Sequence, residues 1–377
     1  MLRSLTEALD LKGKHVLVRA ALNVPVEGTN VVDATRLFDE LPTISLLREL
    51  GARIMLVSHH SKGSDMSLAP VHAFLTAHVP LSFIPDPLSE EGKETIAKMR
   101  DGDVVLFENI RMYPGEEKND EKFTKDLASL ADVYVNDDFT TSHRAHASIV
   151  GLPKLLPSYM GLRFEKEYTA LREALSPPAD SLAILGGAKP ETKLPLVEAL
   201  AHIMKTVYVG GVSANALFEV RGYTIGKSLS TEKPLPLAKQ VSEYPNVVLP
   251  IDVRIVDEQS LIHSVMIDRV SSTDSIIDAG PRTISDIRER VAASSFVLWN
   301  GPLGDYEKGY DTSTHAVASI LAESTAKTII GGGDTIAAIQ ELDIMDKFTF
   351  VSTAGGAMID FLAHGTLPGI EALANNQ

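Results

Sequence analysis

Short apolar runs alternate along this chain with longer stretches that carry apolar residues at helical spacing. His15-Val16-Leu17-Val18-Arg19 predicts a strand, and residues 36–50 predict a helix with one apolar face, closed by Gly51. Residues 53–58 predict the next strand, 68–78 a helix, 103–107 a strand, 121–131 a helix and 132–136 another strand. Alternation of this kind implies a parallel sheet covered on both faces. The rhythm breaks at residues 152–157, which hold two prolines, and residues 163–175 predict a charged amphipathic helix followed by Ser176-Pro177-Pro178. A helix bracketed by prolines suits a rigid connector between domains. Strands are predicted again at 182–185, 206–209, 246–249, 296–299, 328–330 and 348–351. The expected fold is α/β: two doubly wound, parallel-sheet, Rossmann-like domains joined by a hinge helix. Ligands of such sheets sit at the carboxyl ends of the strands.

Composition narrows the function classes. A chain of 377 residues is too long for one typical core, and 44% hydrophobic with 23% charged residues describes a soluble globular protein. The net charge of −15 and the lack of a long basic run argue against nucleic acid and anionic membrane as partners. The absence of cysteine excludes disulfides, thiol nucleophiles and thiolate metal sites, and is compatible with a cytoplasmic location. No signal peptide is visible at the start and no window approaches a transmembrane span.

Candidate chemistry gathers at the strand ends. In the second half four of them carry glycine: Leu185-Gly186-Gly187-Ala188-Lys189, Val209-Gly210-Gly211, Trp299-Asn300-Gly301-Pro302 and Ile330-Gly331-Gly332-Gly333-Asp334. A strand feeding a glycine turn feeding a helix presents bare N–H groups at the positive end of a helix dipole, where a phosphate can approach without a side chain between. Asp334 and Thr335 fall at a helix start, placed to cap it or to reach a phosphate-bound cation. None of the turns is a G-x-G-x-x-G or Walker A sequence, which weighs against dinucleotide binding and P-loop hydrolysis. Lys189 follows its glycine turn directly and Lys193 lies one helical turn later, both suited to phosphate contact.

In the first half four loops each bring a cation to a strand end. Asn23 and Pro25 follow the first strand and Arg36 opens the next helix; Ser58-His59-His60-Ser61-Lys62 follows the second strand. Glu108-Asn109-Ile110-Arg111 follows the third, and the fourth leads into His143-Arg144-Ala145-His146. Converging Arg, Lys and His describe a pocket for a small anion, phosphate or carboxylate. Zinc at His143 and His146 is the alternative, disfavoured by the intervening arginine.

Asn23-Val24-Pro25, Pro42-Thr43-Ile44, Ser58-His59, Glu108-Asn109-Ile110-Arg111, Tyr134-Val135-Asn136-Asp137 and His143-Arg144-Ala145-His146 together resemble phosphoglycerate kinases. So do Gly186-Gly187-Ala188-Lys189, Trp299-Asn300-Gly301-Pro302, Gly331-Gly332-Gly333-Asp334-Thr335 and Leu367-Pro368-Gly369, in the family's order from residue 15 to the end. The resemblance implies two lobes about a deep interdomain cleft: residues 1–156 for the triose or acyl phosphate, 157–178 as hinge helix and linker, and 179–361 for the nucleotide. It implies too that residues 362–377 pack back on the N-terminal lobe. The triose side then uses Ala21, Leu22, Asn23, Arg36, His59, His60, Ser61, Lys62, Arg111 and Arg144. The nucleotide side uses Gly187, Ala188, Lys189, Lys193, Gly210, Gly211, Gly280, Asn300, Pro302, Glu307, Gly332, Gly333, Asp334 and Thr335, with Asp334 meeting Mg²⁺. Arg36 and Lys189 are the implied stabilisers of the moving phosphoryl group. The implied reaction joins 1,3-bisphosphoglycerate and ADP to 3-phosphoglycerate and ATP, with domain closure about the hinge, in a cytoplasmic monomer. Such a transfer needs no strong base, because the acceptor in the reverse direction is already a carboxylate, and rests on positioning and charge neutralisation.

Two departures fall in the substrate loop. The family's Arg-Val-Asp-Phe-Asn is Arg19-Ala20-Ala21-Leu22-Asn23 here, so the acid expected to hold the triose hydroxyl is replaced by Ala21. The family's His-Leu-Gly-Arg-Pro is His59-His60-Ser61-Lys62-Gly63, a lysine point charge in place of a bidentate arginine. Loss of one substrate hydrogen bond costs about 1–3 kcal/mol. A related acyl-phosphate kinase with a different carboxylate acceptor, or a weakly catalytic nucleotide-binding paralogue, remain the alternatives. Pro190, directly after Lys189, is tolerated at a helix start.

Overall fold

Two sheets of six parallel strands, rich in buried Val, Ile and Leu, each organise one of two compact units, residues 1–169 with 366–377 and residues 170–365. The computed structural model describes residues 2–8, 10–60, 66–231 and 236–375. In the first unit β1 (His15–Arg19) is followed by a small antiparallel ribbon, β2 (Val26–Glu27) with β3 (Asn30–Val31). Then come β4 (Arg53–Val57), β5 (Ser82–Ile84), β6 (Val104–Phe107), β7 (Val133–Asn136) and β8 (Ser158–Met160). The sheet order is β5-β6-β4-β1-β7-β8, with helices such as Thr35–Glu49 and Glu121–Ala128 between strands. The register sets Arg19 level with Val57 and Asn136, so Ala20, Ser58 and Asp137 form one rim just beyond the strand ends. The chain leaves β1 towards one edge and returns on its other side at β7; such a reversal opens a crevice at the carboxyl ends.

The second unit contains β9 (Ser181–Leu185), β10 (Thr206–Val209), β11 (Val247–Val248), β12 (Asp252–Val256), β13 (Ile262–Met266), β14 (Ser275–Ala279), β15 (Phe296–Asn300), β16 (Lys327–Gly331) and β17 (Phe350–Ser352). Its parallel sheet runs β11-β10-β9-β15-β16-β17, which places the reversal between β9 and β15. Asn300 pairs with Leu185 on one side and Gly331 on the other, so three of the glycine turns meet at this point. The core of the unit gathers around the fully buried Trp299.

The α/β class and the doubly wound sheets match the expectation from periodicity, with helix and strand ends shifted by a few residues. Several strands differ. β5 and β8 have three residues each, too few to carry a period, and β8 lies inside the stretch read as the start of the connector. β12, β13 and β14 form a separate antiparallel sheet in the order β13-β12-β14, whose exposed β13 breaks the apolar-run pattern of a parallel strand. The helix expected at 163–175 is Leu162–Ala174. At the end of the chain the Gly369 N–H donates to the Ser142 carbonyl at 2.9 Å, and Ala372 packs on Ile149 and Val150. Among the described residues no helix is long and apolar enough to cross a membrane.

Candidate active site

At the rim of the first sheet the hub is Arg19, the last residue of β1 and only 1% exposed. Its Nη1 donates to Asp138 Oδ2 at 2.8 Å and to the Ala20 carbonyl at 3.0 Å. Its Nη2 donates to His59 Nδ1 at 2.9 Å and its Nε to Ser148 Oγ at 3.0 Å. Asp138 is saturated in turn: Thr141 donates its N–H and its hydroxyl, and Thr140 its hydroxyl. Burial is the largest single influence and opposes the Asp138 charge, but Arg19 and the threonine hydrogen bonds together hold the carboxyl below its ordinary range. His59 follows β4 and is kept neutral by burial and then by Arg19, with Arg111 and Arg144 adding to the effect. Nδ1 of His59 is therefore the acceptor of the Arg19 bond.

Arg111 and Arg144 bring further positive charge. Burial, and then Arg144, push the Arg111 guanidinium down, and Glu117 stands 3.2 Å from Arg111 Nε. Burial and then Arg111 lower His146 to about 4. Arg111 and Arg144 are thus held near one another by the fold against their repulsion, and an anion placed between them relieves it. Arg36, half-buried, donates from Nη1 to the Asn23 carbonyl at 3.1 Å and is lowered by burial and then by Arg163. His60 is 1% exposed and its N–H donates to Asn109 Oδ1 at 3.2 Å. Ser61 and Lys62 lie outside the described residues.

The rim of the second sheet is built from backbone. The helix Pro281–Ala292 follows the antiparallel β14, and the Asp252 carboxylate already accepts its Arg282 and Thr283 N–H groups at 3.1 and 2.7 Å. Three helices begin at the rim itself, Pro190–Ala201, Gly211–Val220 and Gly333–Glu341, and none takes a side-chain cap among the described residues. Their first N–H groups lack intrahelical partners by construction and suit an anion. The turns approach so closely that side chains are excluded: a Cβ at Gly186 would stand 2.0 Å from the Pro302 carbonyl oxygen. Gly332 adopts φ +100, a conformation other residues rarely take, and turns β16 into its helix. Thr335 Oγ1 accepts the Gly301 N–H at 2.8 Å and ties two turns together. Lys193, 6% exposed, donates from Nζ to the Asn300 carbonyl at 3.3 Å and to the Asn300 side-chain oxygen. Burial lowers its ammonium to about 8, against the favourable charge of Asp334. Beside these turns lies a cavity of about 470 Å³ with apolar walls that include Val212, Phe218, Leu229, Val253 and Leu303. Its size and lining are those of a small-molecule site.

The same architecture is shared with known proteins. A family model described as phosphoglycerate kinase matches residues 6–365. The chain belongs to the phosphoglycerate kinase family. The phosphoglycerate kinase of Azorhizobium caulinodans is 40% identical over 392 residues, covering 98% of each chain. That of Dictyoglomus turgidum is 40% identical over 381 residues, covering 97% of this chain and 96% of its own. The solved phosphoglycerate kinase from Coxiella burnetii superposes with a TM-score of 0.89 at 34% identity, covering 99% of this chain and 98% of that one. The Pyrococcus horikoshii enzyme gives 0.85 at 30% identity, with the same coverage.

Within this phosphoglycerate kinase fold, Gly187, Ala188, Gly211, Pro302, Glu307 and Asp334 of the expected nucleotide residues line the cavity. Lys189, Lys193, Gly210, Gly280, Asn300, Gly332, Gly333 and Thr335 stand outside its lining. Two of these glycines have a packing reason: a Cβ at Gly280 would meet the Asp252 carboxylate at 2.3 Å, and one at Gly210 would meet Leu303 at 2.4 Å. In the first unit the sequence drew attention to His59, Arg111 and Arg144 but passed over Arg19, Asp138, Glu40 and Arg163. A cation closing the apolar run 15–19 was the available signal for Arg19. Nothing in the spacing linked positions 19 and 138. Among the described residues no group of three or more His, Asp or Glu side chains forms a metal cluster.

Proposed function

We propose that the chain catalyses reversible transfer of a phosphoryl group between 1,3-bisphosphoglycerate and ADP, giving 3-phosphoglycerate and ATP. The observation that carries the acceptor half is the convergence of Arg19, His59, Arg111 and Arg144 in a chain of net charge −15. Such a cluster is built for a small, highly charged anion. In this reading Asn23, Arg36, His59, Arg111 and Arg144 hold the triose phosphate. The uncapped helix starts and Lys193 receive the nucleotide phosphates, and the cavity walls and Glu307 its nucleoside. Arg36 and Lys189 neutralise charge on the moving phosphoryl group. An ADP phosphate oxygen attacks in this direction with the carboxylate leaving, and that carboxylate attacks ATP in the reverse. Both are already ionised, so no side chain is asked to act as a base. Asp334 lines the cavity in the first turn of its helix, and one carboxylate beside substrate phosphates is the usual setting for Mg²⁺, which supplies charge neutralisation when bound. A cytoplasmic monomer is the setting we propose for this chemistry.

One observation favours a second reading. Ala21 is 2% exposed and brings no acid to the acceptor loop, which suits a carboxylate acceptor that lacks the glycerate hydroxyl. ATP-dependent turnover of 3-phosphoglycerate in a coupled assay, with Ala21→Asp run beside the unmodified chain, separates the two. Turnover by the unmodified chain supports the first reading. Turnover by the Ala21→Asp variant alone overturns it.

A further inference from the structure

Although Ala21 lacks the family's acid, the loop around it is gripped from several sides. Ser58 Oγ donates to the Ala20 carbonyl at 2.7 Å and accepts the Leu22 N–H at 3.1 Å. The Ala21 N–H donates to Glu40 Oε1 at 2.8 Å. Arg163 Nη1 donates to that same oxygen at 3.0 Å and to the Ala21 carbonyl at 3.3 Å. Both polar groups of one peptide residue are thus taken by one ion pair. Glu40 is 0% exposed and Arg163 6%. They arrive from different helices, Thr35–Glu49 and Leu162–Ala174, and Glu40 stands four residues after Arg36 on the first of these. Arg36 in turn donates to the Asn23 carbonyl.

A buried pair of this kind is weak as a source of stability, since well-packed apolar residues often replace one without loss. Its geometry fixes a main chain instead. The Asp137 carboxyl, also 0% exposed, adds its charge beside Glu40. Burial, and then the neighbouring Asp137 carboxyl, raise Glu40 well above its ordinary value.

We propose that Glu40 and Arg163 are positioning residues for the phosphoryl acceptor, holding the Ala21 main chain so that Asn23 and Arg36 meet a phosphorylated carboxylate without an acid at position 21. The proposal rests on the assignment of the 20–23 loop to the acceptor. Neither side chain touches substrate; both act through the peptide groups of Ala21.

Steady-state kinetics of the full chain, varying 3-phosphoglycerate and magnesium-ATP separately, test it on Arg163→Met, Glu40→Met and Glu40→Gln. Arg163→Met and Glu40→Met are expected to raise the KM for 3-phosphoglycerate about tenfold or more, the worth of one or two lost hydrogen bonds, while the KM for ATP stays within about twofold. Glu40→Gln is expected to stay within about threefold of the unmodified chain, because its amide oxygen still accepts from the Ala21 N–H and from Arg163. Where Arg163→Met does not fold, Arg163→Lys keeps the charge, loses the fork and should show an intermediate rise in the same KM. An unchanged KM for 3-phosphoglycerate overturns the proposal, as does an equal loss for both substrates. The unmodified chain, run first, keeps the two ideas apart. If it fails to turn over 3-phosphoglycerate, the acceptor assignment falls; if it succeeds while the variants match it, only the positioning role falls.

Discussion

The two sheets end in opposite materials. The rim of the first is made of buried charged side chains that hold one another, Arg19 with Asp138 and His59, and Arg163 with Glu40. The rim of the second is made of glycine turns and three uncapped helix starts, with Lys193 as its one buried lysine among the described residues. Both arrangements suit phosphate-bearing ligands, but they respond to sequence change differently. A backbone N–H at a glycine turn is insensitive to side-chain identity as long as the turn survives. A side-chain site depends on each partner, so a change at one position is tolerated only where others carry the load. The departures from the family pattern lie in the first unit, at Ala21 and Lys62. At Ala21 the backbone is carried by Glu40 and Arg163.

The sharpest way to break this comparison is to orphan a buried charge in the first unit. Asp138→Ala leaves Arg19 buried without its carboxylate and is expected to cost about 3–5 kcal/mol. Urea unfolding followed by far-UV circular dichroism reads the loss. The single tryptophan, Trp299, lies in the second unit, and its fluorescence transition should move less. Equal shifts in both signals would show that the two rims do not fail separately. Slightly smaller in free energy is Lys189→Ala: about a 10²–10³-fold fall in kcat is expected, the usual loss for one group that neutralises transition-state charge. Nucleotide affinity, measured by calorimetry, should change little. A large loss of affinity with unchanged kcat would make Lys189 a binding residue only.

Thr335→Val tests the backbone rim. It removes the acceptor of the buried Gly301 N–H and should cost about 1–3 kcal/mol, with weaker ATP binding and an unchanged KM for 3-phosphoglycerate.

The smallest effect is in the response to rising pH, where the units should diverge in sign. Glu40 is raised in the folded chain, by burial and then by Asp137, so its contribution is fully present below its ordinary carboxyl range and is lost as pH rises through the folded value. Lys193 is lowered by burial to about 8, so its contribution is present above the ordinary lysine value of 10.5 and is lost as pH falls through about 8. Thermal unfolding should show the first unit weakening as pH rises above the ordinary carboxyl range, and the Lys193 contribution growing between about 8 and 10.5. Glu40→Gln should flatten the first trend and Lys193→Met the second. A Glu40→Gln curve parallel to that of the unmodified chain would remove Glu40 as the cause.

Much of this was legible in the linear chain. Apolar runs of four or five residues alternating with helical periods specify parallel strands and covering helices, because burial on both faces leaves no room for polar alternation. Glycine directly after such runs marks the second rim, because its special backbone angles and close approaches are local requirements. Arg111, Arg144 and His59 stood out because each follows a strand in an acidic chain. The three-residue β5 and β8 escaped because they carry no period, and the antiparallel β12, β13 and β14 because polar residues interrupt their apolar runs. Only the tertiary structure could decide the rest of the acceptor rim. Arg19 and Asp138 are 119 residues apart and Glu40 and Arg163 123 apart, and no local rule couples such positions. Propensity and periodicity act over a few turns of chain, whereas a buried charge is stabilised by whichever opposite charge the sheet order brings beside it. The order β4-β1-β7 sets the strand ends of 19 and 136 side by side, and this juxtaposition pairs Arg19 with Asp138.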